Sequence, residues 1–416
     1  RGLGDVYKRQ FLYYNTPVLL NKIPIMYTYK IFNNIAEDGL EVLINNSYHV
    51  DEIDPDALII RSQIISEEDF NSSLKCIGRA GAGTNNISVK EATEKGIVVF
   101  NTPGANANAV KELVVCGMLL SSRGILEGNT FAQGLIGQDT SELNKSMEAQ
   151  KKKFKGSELK GKTLGIVGLG SIGSLLAQTA EIMGMKIIGY DPYISVDAAW
   201  RLPKEVEKAE TIAHLLNNSD YISLHVPLVD STKNLISKDT LKLFKKGAKL
   251  INLSRGGIVN NKDIIHALEE KVISTFVTDF PTPELVERSS KMNDVILLPH
   301  LGASTKEAEV NCAVMAANQV SNFLNNGVII NSVNFPSIKL GRVAEYRMVI
   351  VNKNEPGMIG KITDAIGHNN FNIADMTHKT RDSIGINLID LEQEPSPELI
   401  KNIENIDHVL SVRLCK

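Results

Sequence analysis

The sequence predicts an α/β protein whose central unit is a doubly wound parallel sheet. The first observation is an alternation of short apolar runs, typical of buried strands, with stretches at helical spacing. The second is a glycine loop, Gly168-Leu-Gly170-Ser-Ile-Gly173, between an apolar run and a helical stretch. The third is Asp191, which closes the next apolar run about 20 residues beyond Gly170.

Length and composition limit the function classes. The 416 residues allow about three domains. Apolar residues make up 43% and charged residues 22%, which excludes a disordered chain. The net charge of -3 gives no basic surplus for nucleic acid, and no apolar run is long enough to span a membrane. The four cysteines are far apart, so we expect no disulfide framework, no metal site and a cytoplasmic protein.

Fold-like patterning begins near Met26. We expect residues 1–25 to be an upstream or artefactual leader, and an export signal is the alternative. Buried strands are predicted near 57–60, 74–79 and 96–100, and an apolar helix over 113–121. The lysine-rich stretch 124–162 predicts a solvated helix and linker rather than a phosphate site.

The central sheet is predicted to hold six strands. The glycine loop follows a strand at 163–167 and opens a helix, and a second strand covers 186–190. Four further strands are expected at 221–226, 248–253, 272–279 and 294–298.

The glycine loop predicts a bound dinucleotide. Gly168 permits a tight turn, Gly170 lets the backbone approach a pyrophosphate, and Gly173 allows close helix–strand packing. The helix that follows offers free N–H groups to an anion. Asp191 would accept hydrogen bonds from the ribose hydroxyls and repel a 2′-phosphate, which favours NAD over NADP. A packing turn without a ligand is the alternative.

Three later strand ends carry reactive side chains. They lie within 252–257, 278–284 and 299–303. They supply Arg255, the carboxylates of Asp279 and Glu284, and His300. This set suits oxidation of a 2-hydroxy acid, because a guanidinium binds a carboxylate while an imidazole accepts the hydroxyl proton. A purely structural role is the alternative for His300. We expect His225 to be structural or near the cofactor.

Several motifs resemble one enzyme family. Gly161-Lys-Thr-Leu-Gly-Ile-Val-Gly-Leu-Gly170, Asn252-Leu-Ser-Arg-Gly-Gly257 and Pro299-His-Leu-Gly-Ala-Ser304 resemble the D-2-hydroxyacid dehydrogenases, over nearly everything from Met26 onward. Arg79-Ala-Gly-Ala-Gly-Thr-Asn-Asn86 and Phe100-Asn-Thr-Pro-Gly104 narrow this to the phosphoglycerate dehydrogenases. The resemblance implies NAD-dependent oxidation of D-3-phosphoglycerate to 3-phosphohydroxypyruvate, the first step of L-serine biosynthesis, in a homodimer or homotetramer.

The resemblance also implies residue roles. Arg255 would bind the substrate carboxylate, and His300 would be the acid/base, paired with a glutamate. The family commonly reads Asp-Val-Phe-x-x-Glu-Pro where this chain has Asp279-Phe-Pro-Thr-Pro-Glu284, so we take Glu284 as that partner, with Glu287 as the fallback. Implied cofactor contacts beyond the glycines are Ser171, Ile172, Asp191, Pro227, Leu253, Ser254, Asp279 and Gly302.

The substrate phosphate needs further cations. Arg61 and Arg79 match arginines of the family's substrate domain, and Asn106 and Asn108 offer more donors. Surface ion pairing is the alternative for both arginines. The implied division is a flavodoxin-like substrate domain at 26–115 and 305–335, with a Rossmann-type NAD domain at 116–304 inserted into it.

The tail predicts a separate small unit after a linker at 336–341. Strand and helix patterns over 341–416 follow a βαββαβ order, which looks like a regulatory ACT domain. The resemblance implies L-serine as an effector near Asn352, Asn354 and Asn372. A purely dimerising unit is the alternative, since some family members have His where Asn352 stands.

Two other functions stay open. One is a dehydrogenase or reductase of another 2-hydroxy acid, such as glyoxylate, lactate or 2-hydroxyglutarate. The other is a non-catalytic NAD(H)-sensing protein, against which Arg255 and His300 argue, because a sensor needs neither. No nucleic-acid or membrane partner is expected.

Overall fold

The computed structural model describes residues 27–415, so the expected leader lies outside the described residues. Three sheets organise this part of the chain. Within it, no helix combines the length and apolarity needed to cross a membrane, and no group of three or more His, Cys, Asp or Glu could hold a metal ion.

The first unit is a five-stranded parallel sheet of the order β2-β1-β3-β4-β5, which is the flavodoxin-like order. The apolar run Ala57–Ile60 is buried throughout, as expected of a central parallel strand. Its elements are β1 Thr28–Ile31, α1 Glu37–Asn45, β2 His49–Val50, β3 Ala57–Ile60, a 3₁₀ turn Glu67–Asp69, β4 Cys76–Arg79, α2 Val89–Glu94 and β5 Val98–Phe100.

The second unit is a seven-stranded parallel sheet of the order β12-β11-β10-β9-β6-β7-β8, a doubly wound arrangement. The sequence predicted six strands for this sheet, and the structure has seven. The missed strand, Glu207–Lys208, is two exposed charged residues at the sheet edge and carries no apolar pattern. The strands are β6 Thr163–Val167, β7 Lys186–Tyr190, β8 Glu207–Lys208, β9 Tyr221–Leu224, β10 Ala248–Asn252, β11 Ile273–Thr278 and β12 Val295–Leu297.

The helices of this unit lie before, between and after these strands in the chain. They are α3 Ala107–Ser122, α4 Ile125–Gln133, α5 Thr140–Gln150, α6 Ser171–Ile182, α7 Val196–Ala199, α8 Ile212–Asn218, α9 Lys238–Leu241, α10 Asn261–Glu269 and α11 Pro283–Lys291, with 3₁₀ turns Lys151–Phe154 and Gly256–Ile258. The predicted boundary at 115 and 116 lies inside α3. Because Val110, Val114 and Met118 of α3 pack into the core of the second sheet, the helix packs as part of the second unit.

The long helix α12, Lys306–Asn326, returns to the first unit. It ends at Gly327, whose φ of +69° is the left-handed conformation that closes many helices. Its small residues allow close approach: a Cβ added at Gly39 of α1 would lie 2.6 Å from the Cβ of Ala313. The N-terminal turns of α12 line the space between the two parallel sheets through Ala308, Glu309 and Cys312.

The third unit is a four-stranded antiparallel sheet of the order β14-β15-β13-β16 with two helices. Its elements are β13 Tyr346–Lys353, α13 Met358–His368, β14 Ile373–Arg381, β15 Ile384–Leu391, α14 Pro397–Glu404 and β16 Val409–Cys415. The βαββαβ order predicted from the sequence is confirmed, and it fits a small ACT-like domain.

The third unit packs directly on the first. Val349 and Val351 share one buried cluster with Tyr29 and Phe323. The Arg413 guanidinium lies 4.3 Å from the centre of the Phe323 ring and donates to the Leu324 carbonyl at the end of α12. The expected linker at 336–341 is part of this packing, because Ile338 is 2% exposed and pairs with Ile329.

Candidate active site

The glycine loop lies at the switch point of the doubly wound sheet, between β6 and α6. Gly168 has a φ of +92°, and a Cβ there would lie 2.7 Å from the His225 carbonyl oxygen, so only glycine fits. A Cβ at Gly170 would meet nothing within 4 Å, which leaves that backbone open to a ligand. A Cβ at Gly173 would overlap the Gly168 carbonyl, so Gly173 permits the close packing of helix and strand.

Asp191 lies beside this loop, as a ribose-binding carboxylate requires. Its Oδ2 accepts from the Leu169 amide at 2.9 Å, and its Oδ1 accepts from the Tyr193 amide at 3.0 Å. The side chain is half-buried, so lone pairs remain available on its open side. Ser171 and Ile172 begin α6, whose first N–H groups point toward the same space. The residues present therefore fit a dinucleotide.

The other predicted cofactor residues follow the adjacent strands. Leu253 and Ser254 come after β10, and the Ser254 hydroxyl donates to the Val226 carbonyl at 2.6 Å. Asp279 follows β11 and is 1% exposed, with Oδ2 accepting from the Gly302 amide at 3.1 Å. Burial raises the pKa of the Asp279 carboxyl, against the lowering effects of the Gly302 N–H and of the nearby His300 and Arg255. Its Oδ1 is buried without a partner.

A cavity of about 800 Å³ opens where the carboxyl ends of both parallel sheets face each other. Arg255 after β10 and His300 after β12 both line it, so the structure brings the predicted guanidinium and imidazole into one cleft. Both side chains are exposed, which leaves them accessible to a small molecule. Pro227 lines the same cavity.

The two predicted phosphate-site arginines line this cavity as well. Arg61 follows β3 and pairs with Glu309 of α12 at 2.7 Å, whereas Arg79 ends β4 and donates from Nε to the Arg61 carbonyl at 3.1 Å. Burial, with repulsion from Arg255 and Arg61, lowers the pKa of Arg79. Three arginines against one glutamate give the lining of the cavity a positive excess, which suits an anionic ligand.

Of the two asparagines predicted to bind substrate, only one lies at the cavity. Asn106 precedes α3 and lines the cavity. Asn108 is not part of the cavity lining and donates to Glu112 at 2.8 Å on the exposed face of the helix. The reason is helical geometry, because residues two positions apart on a helix point in different directions.

The structure does not bring Glu284 or Glu287 to the cleft. Glu284 is fully exposed in the first turn of α11, and the N–H and Thr282 hydroxyl at that helix start lower the pKa of its carboxyl. Glu287 is exposed and pairs with Lys291 at 2.6 Å. Neither is part of the cavity lining or forms an ion pair with His300 in the described part of the chain. In the altered motif Asp279-Phe-Pro-Thr-Pro-Glu284, α11 begins at Pro283, so the Glu284 carboxylate already lies in the helix.

Three groups of residues that line the cavity were not predicted from the sequence. Phe280 contacts His300, with ring centres 5.2 Å apart. Glu309 and the buried Cys312 line the cavity from the first turns of α12. The sequence analysis placed this segment in the substrate domain but named neither residue. The loop 80–85 lines the cavity beside Arg79, and its glycines were the available signal.

His225 is half-buried behind the glycine loop. Its Nε2 lies 2.9 Å from the Ser223 hydroxyl, while Nδ1 is buried without a partner. Burial lowers the pKa of His225 to about 4. This placement fits a structural histidine behind the glycine loop.

The predicted effector residues differ in accessibility. Asn352 is 1% exposed, donates to the Lys353 carbonyl and accepts from Asn387. Asn354 and Asn372 are exposed and hydrogen-bond to the Asp382 carbonyl and to Glu392.

Comparison with known proteins gives the family. Residues 131–302 match the D-isomer specific 2-hydroxyacid dehydrogenase, NAD binding domain. A D-3-phosphoglycerate dehydrogenase of Dictyostelium discoideum is 31% identical over 396 residues, which cover 91% of this chain and 92% of the relative. The chain belongs to the D-isomer-specific 2-hydroxyacid dehydrogenase family. A hydroxypyruvate reductase of Thermotoga maritima is 38% identical over 266 residues, covering 61% of this chain and 80% of that protein.

A solved structure of this family agrees. The NAD⁺-bound 3-phosphoglycerate dehydrogenase of Entamoeba histolytica matches with a TM-score of 0.58 and 28% identity, over 74% of this chain and 99% of that one. The chain spans only 54–62% of the length of three further curated relatives named D-3-phosphoglycerate dehydrogenase.

Proposed function

We propose that this protein oxidises D-3-phosphoglycerate to 3-phosphohydroxypyruvate with NAD. The observation that carries the proposal is the shared cleft, where Arg255 and His300 face Arg61 and Arg79 beside a loop suited to a dinucleotide. When bound, NAD supplies a nicotinamide ring that accepts a hydride.

The side chains divide the remaining work. Arg255 binds the substrate carboxylate through two N–H donors, which fixes the carbon that bears the hydroxyl. His300 takes the hydroxyl proton as the hydride leaves, and it returns that proton in the reverse direction. Gly168, Gly170, Gly173 and Asp191 hold the dinucleotide.

Arg61 and Arg79 would bind the phosphate. Their guanidinium groups offer several donors to phosphate oxygens, and Asn106 adds an amide. Because Arg61 already pairs with Glu309, the less neutralised Arg79 is the stronger candidate for the phosphate contact.

A dehydrogenase or reductase of another 2-hydroxy acid is the second candidate. The Arg61–Glu309 pair favours it, since that pairing reduces the charge available to a phosphate. The similarity to a hydroxypyruvate reductase favours it as well.

A second proposal concerns the third unit. We also propose L-serine as an effector of a homodimer or homotetramer, on the basis of the ACT-like order of this unit. Asn354 and Asn372 are exposed to such a ligand, whereas Asn352 is 1% exposed. The four cysteines are unpaired thiols, which supports a reducing, cytoplasmic setting.

The test is steady-state NADH formation with D-3-phosphoglycerate, D-glycerate, D-lactate and D-2-hydroxyglutarate, with NAD or NADP, and with or without L-serine. We expect the highest kcat/KM for the phosphorylated acid with NAD. A preference for a non-phosphorylated acid would refute the substrate and favour the second candidate. Arg79→Ala should raise KM for the phosphorylated acid far more than for any other acid.

A further inference from the structure

Glu309 is the one carboxylate among the described residues that line the cleft. It lies in the first turn of α12, where its amide donates to the Thr305 carbonyl at 3.0 Å. Close packing of Ala313 on Gly39 of α1 fixes the helix that carries it. A carboxylate in a cavity that suits an anionic ligand opposes the charge of that ligand.

The three arginines of the cleft donate to different acceptors. Arg61 donates from Nη2 to Oε1 of Glu309 at 2.7 Å. Arg79 donates to the Arg61 carbonyl at 3.1 Å, and Arg255 donates to the Ser254 carbonyl at 2.7 Å. Because these two carbonyls are uncharged, the carboxylate of the cleft acts at Arg61.

The Arg61–Glu309 pair is open to water. The two side chains are 39% and 43% exposed, and ion pairs of this kind contribute little to stability. The neighbouring Ile60 and Ala308 are buried, so the strand end and the helix are each held by their own packing. The pair can therefore open without disturbing either element.

A phosphate at Arg61 and the Glu309 carboxylate compete for the same donors. A guanidinium binds phosphate and carboxylate oxygens with the same planar fork of N–H groups. A phosphate oxygen on Nη2 would have to take the place of Oε1 of Glu309, which lies 2.7 Å from that nitrogen. Two adjacent anions repel each other, so the carboxylate has to move away when the phosphate binds.

We propose that Glu309 is a specificity-determining residue that competes with the phosphate of a ligand for Arg61. In the empty cleft it neutralises Arg61, and a phosphate has to displace it. Glu309 therefore weakens the binding of phosphorylated acids relative to non-phosphorylated 2-hydroxy acids, which limits how firmly a phosphorylated product is retained. The proposal rests on the proposed function for the place of the phosphate at Arg61.

The experiment measures what the phosphate group adds to binding. D-3-phosphoglycerate and D-glycerate differ only in that group, so the ratio of their Kd values, measured by calorimetry on the NADH-bound protein, reports its contribution. The ratio is compared between the wild type, Glu309→Gln, Arg61→Gln and the double variant. Glu307→Gln is the matched control, because Glu307 is exposed in the same turn of α12 and does not line the cleft. Thermal melting shows that each variant is folded.

We expect Glu309→Gln to raise the ratio of the Kd of D-glycerate to the Kd of D-3-phosphoglycerate about two- to fivefold, the range that an exposed ion pair allows. Glu307→Gln should change this ratio less than about 1.5-fold. In the Arg61→Gln background, Glu309→Gln should also change it less than about 1.5-fold, because the guanidinium for which the two anions compete is gone. An unchanged or lower ratio in Glu309→Gln would overturn the proposal. An equal rise in the Arg61→Gln background or in Glu307→Gln would overturn it too, since the effect would then not act through Arg61.

The outcomes separate this proposal from the proposed function. A wild type that turns over a non-phosphorylated acid best refutes the proposed substrate, and the ratio of Kd values still decides the role of Glu309. A wild type that prefers the phosphorylated acid, with the ratio unmoved in Glu309→Gln, supports the function and refutes the competition.

Discussion

Replacing His225 should remove a pH-dependent part of the stability. Burial lowers the pKa of His225 from 6.5 to about 4. Between these two pH values the ring is neutral in the folded protein and protonated in the unfolded chain. The unfolded state therefore binds more protons below pH 6.5, and stability falls as pH falls from 6.5 toward 4. The full shift is worth about 3 kcal/mol, and about 2 kcal/mol of it is lost between pH 7.5 and pH 5.

Urea denaturation followed by circular dichroism at several pH values measures this loss. In His225→Gln the amide can replace Nε2 beside the Ser223 hydroxyl. The decrease in the free energy of unfolding between pH 7.5 and pH 5 should be about 2 kcal/mol smaller in this variant than in the wild type. His266→Gln replaces an exposed histidine and is measured in the same way, as the control for the substitution itself. Parallel pH dependence in the wild type and His225→Gln would refute the reasoning.

Three further predictions concern the cofactor, the substrate cavity and the third unit. Asp191→Ala should raise KM for NAD by about tenfold or more and narrow the preference over NADP, because a ribose acceptor is lost; an unchanged cofactor ratio would contradict the assignment. Glu309→Gln should lower KM for a phosphorylated acid up to about fivefold by freeing Arg61, and a raised KM would show that the pair positions Arg61 for binding. Asp390→Asn should destabilise the fold by about 3–5 kcal/mol in urea denaturation, since it leaves the buried Arg347 without its carboxylate at 2.6 Å; a loss below about 1 kcal/mol would contradict this.

The parallel sheets were predictable because most of their inner strands are apolar runs with a turn at the end. Ala57–Ile60 and Thr163–Val167 are examples. The glycine loop marks the switch point, because Gly168 has a φ of +92° and no room for a Cβ. The edge strand Glu207–Lys208 was not predictable, because two exposed charged residues carry no periodicity.

The candidate site was predictable where a side chain follows directly from a strand end. Arg255 and His300 are of this kind, since parallel strands bring their carboxyl ends to one edge. Glu284 and Asn108 were placed by position in a motif alone, and the local helices turn both side chains away from the cleft. The contact between Phe280 and His300 depends on two loops meeting in space, which no spacing in the sequence encodes.

The central claim is that Arg255 and His300 act together in one cleft on a bound 2-hydroxy acid. Single-turnover NADH formation by His300→Ala, measured beside NADH affinity, tests it most directly. The account predicts a rate lower by about 10²- to 10⁴-fold with NADH affinity within about threefold of the wild type. A rate equal to that of the wild type would contradict the account, because the proton would then leave by a route that does not involve the imidazole.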